Sequence, residues 1–290
     1  METERSKQLV PPETLEKRET FIAPTARVEP GASIGRGVFI GDWCVISAGV
    51  VIGDRTTLKQ NVIIEGCTEI GEGSVIHQFC TIGNQSHDLK FSDSEKTKTT
   101  IGRDVVIREF TNVHAGTPLG RRGTFIGERA YIMSHSHIGH DCEVLAGAVL
   151  SQGTTLGGEV VIGENSVIGG CTAIHQLCTI GKYAIIGGCS KITMDVIPFA
   201  MSDGNPQELD GLNLVGLRRH GFSVDDVRII KEVYKTLFIS DDMVWEERLA
   251  AAKKVYAGTP VADEIFHFIG EVSRRPLARP RKRFKGGADA

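Results

Sequence analysis

The sequence predicts an all-β solenoid, a three-sided prism of parallel hexapeptide repeats, followed by a small α-helical domain. An aliphatic residue recurs at every sixth position over most of the chain, which matches neither the 3.6-residue period of a helix nor the alternation of a half-buried strand. If each hexad is a short strand plus a corner, three hexads form one coil, and every aliphatic points inward onto the next coil. The 34 glycines and the aromatic fraction of 6% agree with tight corners around a narrow aliphatic core.

The inward register has three runs, which cover Ile22–Ile82, Ile101–Val113 and Ile126–Ile192. The two interruptions, at about residues 83–100 and 115–125, are polar, so we expect them to project from the prism as loops. Rigid scaffolds commonly carry their functional side chains on such loops.

The chain divides into four predicted parts. They are an N-terminal extension at 1–20, the β-helix at 21–198, a linker and helical domain at 199–270, and a basic, flexible tail at 271–290. Within the helical part, Ser223 is the predicted N-cap of a first helix. We expect a second helix at about 241–257 and a third that begins near Pro260. Asp226 is the expected capping partner of Ser223. The apolar face of this first helix comprises Val227, Ile230, Tyr234 and Leu237.

Composition and charge exclude several classes of protein. The net charge of −3 and the absence of a long apolar run predict neither nucleic-acid binding nor a membrane span. The seven cysteines form no CxxC pair and occupy positions in the hexad that favour small side chains, so we predict a free, structural role for them. Together with the polar N-terminus, this pattern predicts a cytoplasmic protein.

Histidines cluster on the outside of the predicted prism. His135, His137 and His140 lie close together and none occupies an inward position, and Asp141 follows the last of them. Imidazole is a suitable general base at neutral pH, and a carboxylate neighbour can fix its tautomer. Adjacent residues on a strand point in opposite directions, so sequence alone leaves open whether this pair is hydrogen-bonded. The register also predicts that His175 shares a face with His140.

A zinc-dependent hydratase is an alternative that the histidines leave open. Three imidazoles contributed by two subunits of a trimeric prism would suffice for such a site. This alternative requires ligands about one coil apart, and His114 lies one coil below the hexad of Ile138 if the second interruption is looped out.

Four stretches carry a more specific resemblance. They are H-I-G-H-D-C at 137–142, G-G-C-T-A-I-H-Q-L-C at 169–178, N-L-V-G-L-R-R-H-G-F at 213–222 and D-L-K at 88–90. The first three in this order, together with D-L-K and the hexads, resemble the UDP-N-acetylglucosamine O-acyltransferases over about residues 20–270.

The resemblance implies a left-handed β-helix and a homotrimer with active sites between subunits. It implies transfer of an (R)-3-hydroxyacyl chain from the phosphopantetheine of acyl carrier protein to the glucosamine 3-hydroxyl of UDP-N-acetylglucosamine, the first step of lipid A biosynthesis. No metal and no diffusible cofactor is implied.

The family's functional positions can be carried over residue by residue. The resemblance makes His140 the general base, with Asp141 beside it, and the Gly158 N–H the donor to the oxyanion. It assigns a limit on acyl length to Gly188. The implied sugar-handling residues are Asp88, Lys90 and His137, and those implied for the nucleotide are His175, Gln176, Asn213 and Arg219.

The chain also departs from the family pattern around the implied pocket. Glu159 stands where a histidine is usual, and Val215 stands where a glutamate is usual. The other departures are His135 for an asparagine and Gln152-Gly153 for an Asn-Asn pair. These changes leave two alternatives open: an acyltransferase acting on another UDP-sugar, such as a 3-amino sugar, and a non-catalytic trimeric scaffold. Arg218, Arg219, His220 and the basic tail are candidate docking charges for the acidic carrier protein.

Overall fold

The computed structural model describes residues 19–88, 97–240 and 243–280. Within these ranges the chain forms a long prism of short strands, followed by a small helical domain. Most of the predicted N-terminal extension, Lys90 and the last ten residues of the predicted tail lie outside the described residues.

The strands follow one another along the chain at nearly regular intervals. Before the first interruption they are β1 Phe21–Ile22, β2 Arg27–Val28, β3 Ser33–Ile34, β4 Phe39–Ile40, β5 Val45–Ile46, β6 Val51–Ile52, β7 Thr57–Leu58, β8 Ile63–Ile64, β9 Cys67–Ile70, β10 Val75–Ile76 and β11 Thr81–Asn84. Between the interruptions they are β12 Lys98–Ile101, β13 Val106–Ile107 and β14 Asn112–His114. After the second interruption they are β15 Gly123–Ile126, β16 Tyr131–Ile132, β17 His137–Ile138, β18 Glu143–Val144, β19 Val149–Leu150, β20 Thr155–Leu156, β21 Val161–Ile162, β22 Val167–Ile168, β23 Ala173–Ile174, β24 Thr179–Ile180, β25 Ile185–Ile186, β26 Lys191–Ile192, β27 Ala200–Asp203 and β28 Glu208–Leu212.

Every third strand belongs to the same parallel sheet, so the three sheets are the three faces of the prism. Ile22 pairs with Ile40, and Ile138 pairs with Leu156 one coil further on. From Ile40 onward the inward aliphatics are almost fully buried and form one continuous core. The hexad register predicted from the sequence is therefore confirmed.

The glycine that often follows an inward aliphatic is explained by the close approach of successive coils. A Cβ on Gly71 would overlap the backbone of Gly102 and Arg103 on the next coil, so only glycine fits there. The cysteines divide into two groups. One is buried in the core, as predicted for small apolar residues, and comprises Cys44, Cys80, Cys142 and Cys178; the other is exposed and comprises Cys67, Cys171 and Cys189.

The coil continues slightly beyond the last regular hexad. β27 pairs parallel with β25, and β28 returns antiparallel to β27. Among the described residues four helices follow: α1 Leu214–Arg219, α2 Val224–Phe238, α3 Trp245–Tyr256 and α4 Pro260–His267, the last continuing into a wider turn over Phe268–Val272. The capping box of Ser223 and Asp226 is present at the start of α2, as predicted. None of the helices in the described ranges has the length and apolarity needed to cross a membrane.

The described part of the predicted flexible tail is in fact bound to the prism. The buried carboxylate of Asp195 accepts hydrogen bonds from Ser273 Oγ at 2.8 Å, from the N–H of Arg274 at 2.7 Å and from the N–H of Arg275 at 2.9 Å. Asp195 also forms a β-bridge with Leu277. The sequence expectation was wrong for this segment because its partner lies 78 to 82 residues earlier in the chain.

We predict that replacing one inward aliphatic destabilises the prism far more than replacing its outward neighbour. Ile70→Ala should lower the free energy of unfolding by about 2–5 kcal/mol, because Ile70 is only 2% exposed and its loss leaves a cavity. Glu69→Ala, on the same strand, removes an exposed ion pair to Lys98 and should cost less than about 1 kcal/mol. Urea unfolding followed by circular dichroism measures both, and equal costs would contradict the assigned register.

Candidate active site

An open cleft of about 590 Å³ runs along one face of the prism. Its walls come from residues on, or shortly after, five successive strands of one sheet, namely β11, β14, β17, β20 and β23. The regular stacking of coils therefore brings together residues far apart in sequence. The lining residues are His87, Asp88, His114, His137, Gly139, His140, Gly158, Glu159, Gln176 and Leu177.

The His140 and Asp141 side chains are hydrogen-bonded, with 2.9 Å between Nδ1 and the carboxylate. Asp141 occupies a corner with a φ of 59°, and this left-handed conformation turns the two neighbouring side chains toward each other. The hydrogen bond to Asp141 raises the pKa of the His140 imidazole, and this effect outweighs the burial that opposes it. Nδ1 is thereby held as the donor, and Nε2 is left as the basic atom.

Asp141 is fully buried and is also held by the second interruption of the register. Its carboxylate accepts hydrogen bonds from the Thr117 N–H at 2.9 Å, from Thr117 Oγ1 at 2.6 Å and from the Gly123 N–H at 3.2 Å. Burial raises the pKa of Asp141, but the hydrogen bonds from His140 and Thr117 outweigh it, so the net pKa is lowered. The carboxylate therefore stays ionised beside His140.

Thr117 is a site residue that the sequence did not single out. The second interruption was expected to project as a polar loop, whereas Ala115 and Thr117 at its start are buried against the prism. The loop packs against the prism because the buried carboxylate of Asp141 needs several donors, and this loop supplies them. The polar residues of the interruption gave no indication of where they would find their partner.

Gly158 lies directly beside the imidazole of His140. A Cβ at this position would overlap His140 Cε1 and Nε2, so any side chain would push the ring out of place. The Gly158 carbonyl accepts from Leu177, whereas its N–H has no hydrogen-bond partner among the described residues. An unpaired N–H close to a basic nitrogen is available to a ligand in the cleft.

Three further histidines form the opposite part of the cleft. The ring centroids are 4.1 Å apart for His87 and His114 and 5.0 Å apart for His114 and His137. The Nδ1 atom of His114 hydrogen-bonds the Gln85 carbonyl at 2.7 Å, and that of His137 hydrogen-bonds the Asn112 carboxamide oxygen at 2.5 Å. Burial, together with the neighbouring imidazoles, lowers the pKa of His137 to about 4, and burial also lowers the pKa of His114. Both rings are therefore neutral at pH 7.

Other residues implied by the resemblance do not line this cleft in the single chain. His175 is exposed and its Nδ1 lies 3.0 Å from the Gln176 carbonyl, while Gly188 is exposed on a later coil. The Asn213 side chain caps α1 by accepting from Gly216 at 3.0 Å and donates to the Tyr183 carbonyl at 2.8 Å. Arg219 is exposed at the end of α1.

The bound C-terminal segment reaches the rim of the cleft at Glu159. Arg274 donates to the Glu159 carbonyl and lies 3.7 Å from its carboxylate, while Arg275 donates to the Gln176 carbonyl at 3.4 Å. The unusual glutamate is thus paired with an arginine from the chain's own end. Val215, a second departure from the family pattern, is 57% exposed on α1 and does not line the cleft.

Comparisons with known proteins agree with this architecture. A family model described as UDP-N-acetylglucosamine O-acyltransferase, domain 2, matches residues 195–278, and one described as bacterial transferase hexapeptide matches residues 49–84. The solved structure of LpxA from Acinetobacter baumannii superposes with a TM-score of 0.85 at 35% identity, covering 89% of this chain and 99% of that one. For the UDP-N-acetylglucosamine acyltransferase of Francisella novicida the TM-score is 0.87 at 32% identity, with 90% and 95% covered. These superpositions confirm the left-handed β-helix with C-terminal helices.

The sequence relatives agree with the structural comparisons. The acyl-carrier-protein-dependent UDP-N-acetylglucosamine O-acyltransferase of Burkholderia ambifaria is 42% identical over 262 residues, which is 90% of this chain and 100% of the relative. The enzyme of the same name from Burkholderia multivorans is 48% identical over 219 residues, covering 76% of this chain and 83% of the relative. With this similarity over nearly the whole fold, the chain belongs to the UDP-N-acetylglucosamine O-acyltransferase family.

Proposed function

We propose that the protein transfers an (R)-3-hydroxyacyl chain from acyl carrier protein to the glucosamine 3-hydroxyl of UDP-N-acetylglucosamine, the first step of lipid A biosynthesis. One observation carries the chemistry: the hydrogen-bonded pair of His140 and Asp141 lies beside the unpaired N–H of Gly158 in an open cleft. Family membership supplies the donor and the acceptor.

In this mechanism Nε2 of His140 takes the proton of the sugar 3-hydroxyl while the oxygen attacks the thioester carbonyl. Asp141 positions the ring and stabilises the imidazolium that forms. When the tetrahedral intermediate collapses, the carbon–sulfur bond breaks and the imidazolium returns its proton to the phosphopantetheine thiolate. The products are the acylated sugar nucleotide and the free thiol of the carrier protein, and His140 is neutral again.

The Gly158 N–H is the proposed donor to the oxyanion. An N–H that is unpaired beforehand loses no existing hydrogen bond when charge develops on the carbonyl oxygen. A glycine is also required at this position, because a side chain would displace the imidazole of His140.

The remaining implied residues have proposed binding roles. Asp88 and His137 line the cleft on the acceptor side, and Gln176 lines it at the other end, in agreement with sugar and nucleotide contacts. Lys90 is proposed to contact the sugar as well. The residues proposed to contact the nucleotide are His175, Asn213 and Arg219, and Gly188 is proposed to limit the length of the acyl chain. No metal or diffusible cofactor enters this mechanism.

A homotrimer is the proposed assembly, with sites completed between subunits. Large apolar side chains are exposed along one edge of the prism, where Trp43 is 64% exposed and Phe79 and Phe110 are each 48% exposed. Phe79, Phe110 and His135 stack with centroids 5.1 and 4.9 Å apart. An aromatic column of this kind is typical of a surface that another subunit covers. We place the trimer in the cytoplasm, in agreement with seven free cysteines.

The proposed function is tested by incubating the purified chain with (R)-3-hydroxyacyl carrier protein and UDP-N-acetylglucosamine and identifying the product by mass spectrometry. We expect an O-acylated sugar nucleotide, with acyl-CoA a poor substitute for the carrier protein. An amide formed only with a 3-amino sugar would instead establish the alternative acceptor. Calorimetry without detectable binding of UDP-N-acetylglucosamine would favour the non-catalytic scaffold.

We predict that His140→Ala lowers kcat by about 10²–10⁴-fold, the usual contribution of a general base, while the assembly stays folded. His267→Ala is the control, because His267 is an exposed histidine of α4 that does not line the cleft. Steady-state kinetics and size-exclusion chromatography measure the two effects. Near-normal turnover by folded His140→Ala would refute the mechanism.

We also predict that Asp141→Asn moves the acid limb of the pH profile of kcat/KM to lower pH. The reaction needs neutral His140, and its pKa is raised mainly by the hydrogen bond to Asp141, so weakening that bond lowers the pKa of the base. The maximal rate should fall as well, because the imidazolium loses its stabilising partner. Asp54→Asn, near the start of the prism, is the control that should leave the limb unchanged, and an unmoved limb in Asp141→Asn would contradict the proposed pairing.

A further inference from the structure

The trio of His87, His114 and His137 has no assigned role as a unit. Each offers a ring nitrogen, and these three nitrogens all lie within 4.8 Å of one another. His114 and His137 come from adjacent strands of one sheet, β14 and β17, so the prism fixes their spacing. His87 follows β11 on the same sheet, is exposed, and packs its ring against those of His114 and His137.

The two fixed histidines are prepared as ligands. Their Nδ1 atoms are engaged by the Gln85 carbonyl and the Asn112 carboxamide oxygen, which leaves both Nε2 lone pairs facing the cleft. Second-sphere hydrogen bonds of this kind are the usual way in which proteins orient metal-bound histidines. A tetrahedral zinc with bonds of about 2.0–2.1 Å places its nitrogen ligands about 3.3 Å apart. The three ring nitrogens lie within 4.8 Å of one another, so closing the site requires each pair to approach by no more than about 1.5 Å.

We propose that a Zn²⁺ ion binds to Nε2 of His114, Nε2 of His137 and a ring nitrogen of His87, and that the bound ion blocks the acceptor end of the cleft. Three imidazole ligands favour zinc over Mg²⁺ or Ca²⁺, which prefer oxygen ligands. The fourth tetrahedral position opens into the cleft, where water completes it.

Inhibition follows because the ion and the sugar compete for His137. This part of the inference rests on the proposed function, in which His137 contacts the acceptor. The His140 base is not a ligand in this arrangement, so zinc acts by exclusion of substrate and leaves the base itself unaltered.

Binding is tested on the chain dialysed against a chelator, by calorimetric titration with Zn²⁺. We expect one ion per chain in the wild type, at least tenfold weaker binding in His87→Gln, and restored binding in His87→Cys, because a thiolate replaces the lost imidazole as a ligand. His135→Gln should bind like the wild type. Because His87 is exposed, its variants should fold. Absence of stoichiometric binding to the wild type, or equal affinity in His87→Gln, would overturn the site.

Cobalt gives an independent check of the coordination. Co²⁺ added to the metal-free wild type should give the visible absorption of a tetrahedral site, and His87→Gln should lose it. A spectrum of hexaaqua cobalt alone would overturn a three-histidine site.

The inhibitory role is tested separately by the initial rate with and without Zn²⁺ in each variant. The expected result is a loss of rate in the wild type that excess UDP-N-acetylglucosamine or EDTA reverses, and a much smaller loss in His87→Gln. Zinc that binds but leaves the KM for the acceptor unchanged would overturn competition. A chain that binds zinc but transfers no acyl group without it would indicate failure of the proposed function while the metal site stands.

Discussion

The structure depends on the coil-to-coil register that the stacked aliphatics enforce. Each inward residue lies on its counterpart one coil later, so a substitution that shifted one coil would also shift every face and corner that follows. The same register aligns the residues on or shortly after β11, β14, β17, β20 and β23. The stacked coils thereby assemble a cleft from positions between residues 87 and 177.

Asp141 links this scaffold to the chemistry. Its carboxylate is fully buried, and hydrogen bonds from Thr117, Gly123 and His140 compensate for its desolvation. The linkage has opposite signs for the two partners. The lowered pKa of Asp141 stabilises the folded chain at pH values above the pKa that Asp141 has when unfolded, and this stability is lost as the pH falls through the folded pKa. The raised pKa of His140 stabilises the folded chain at pH values below the pKa that His140 has when unfolded, and this stability is lost as the pH rises through the folded pKa.

Periodic features could be predicted from the sequence, whereas features that depend on corners and distant partners could not. The hexad register and the capping box of Ser223 are local patterns with one structural solution each. The hydrogen bond between His140 and Asp141 depends on a left-handed corner, and the sequence alone left that bond open. The anchoring of Arg274 on Asp195 joins residues 79 positions apart in the chain, on either side of the helical domain, and no local sequence pattern indicates it. The functional assignment came from motif resemblance, since periodicity identifies only the scaffold.

In the proposed mechanism Nε2 of His140 takes the proton of the acceptor hydroxyl. A crystal structure with UDP-N-acetylglucosamine bound tests it most directly, through the distance from the glucosamine 3-hydroxyl oxygen to that nitrogen. We expect a hydrogen bond of about 2.6–3.2 Å between these two atoms. A sugar bound in the cleft with its 3-hydroxyl turned away from His140, and no water linking the two, would contradict it.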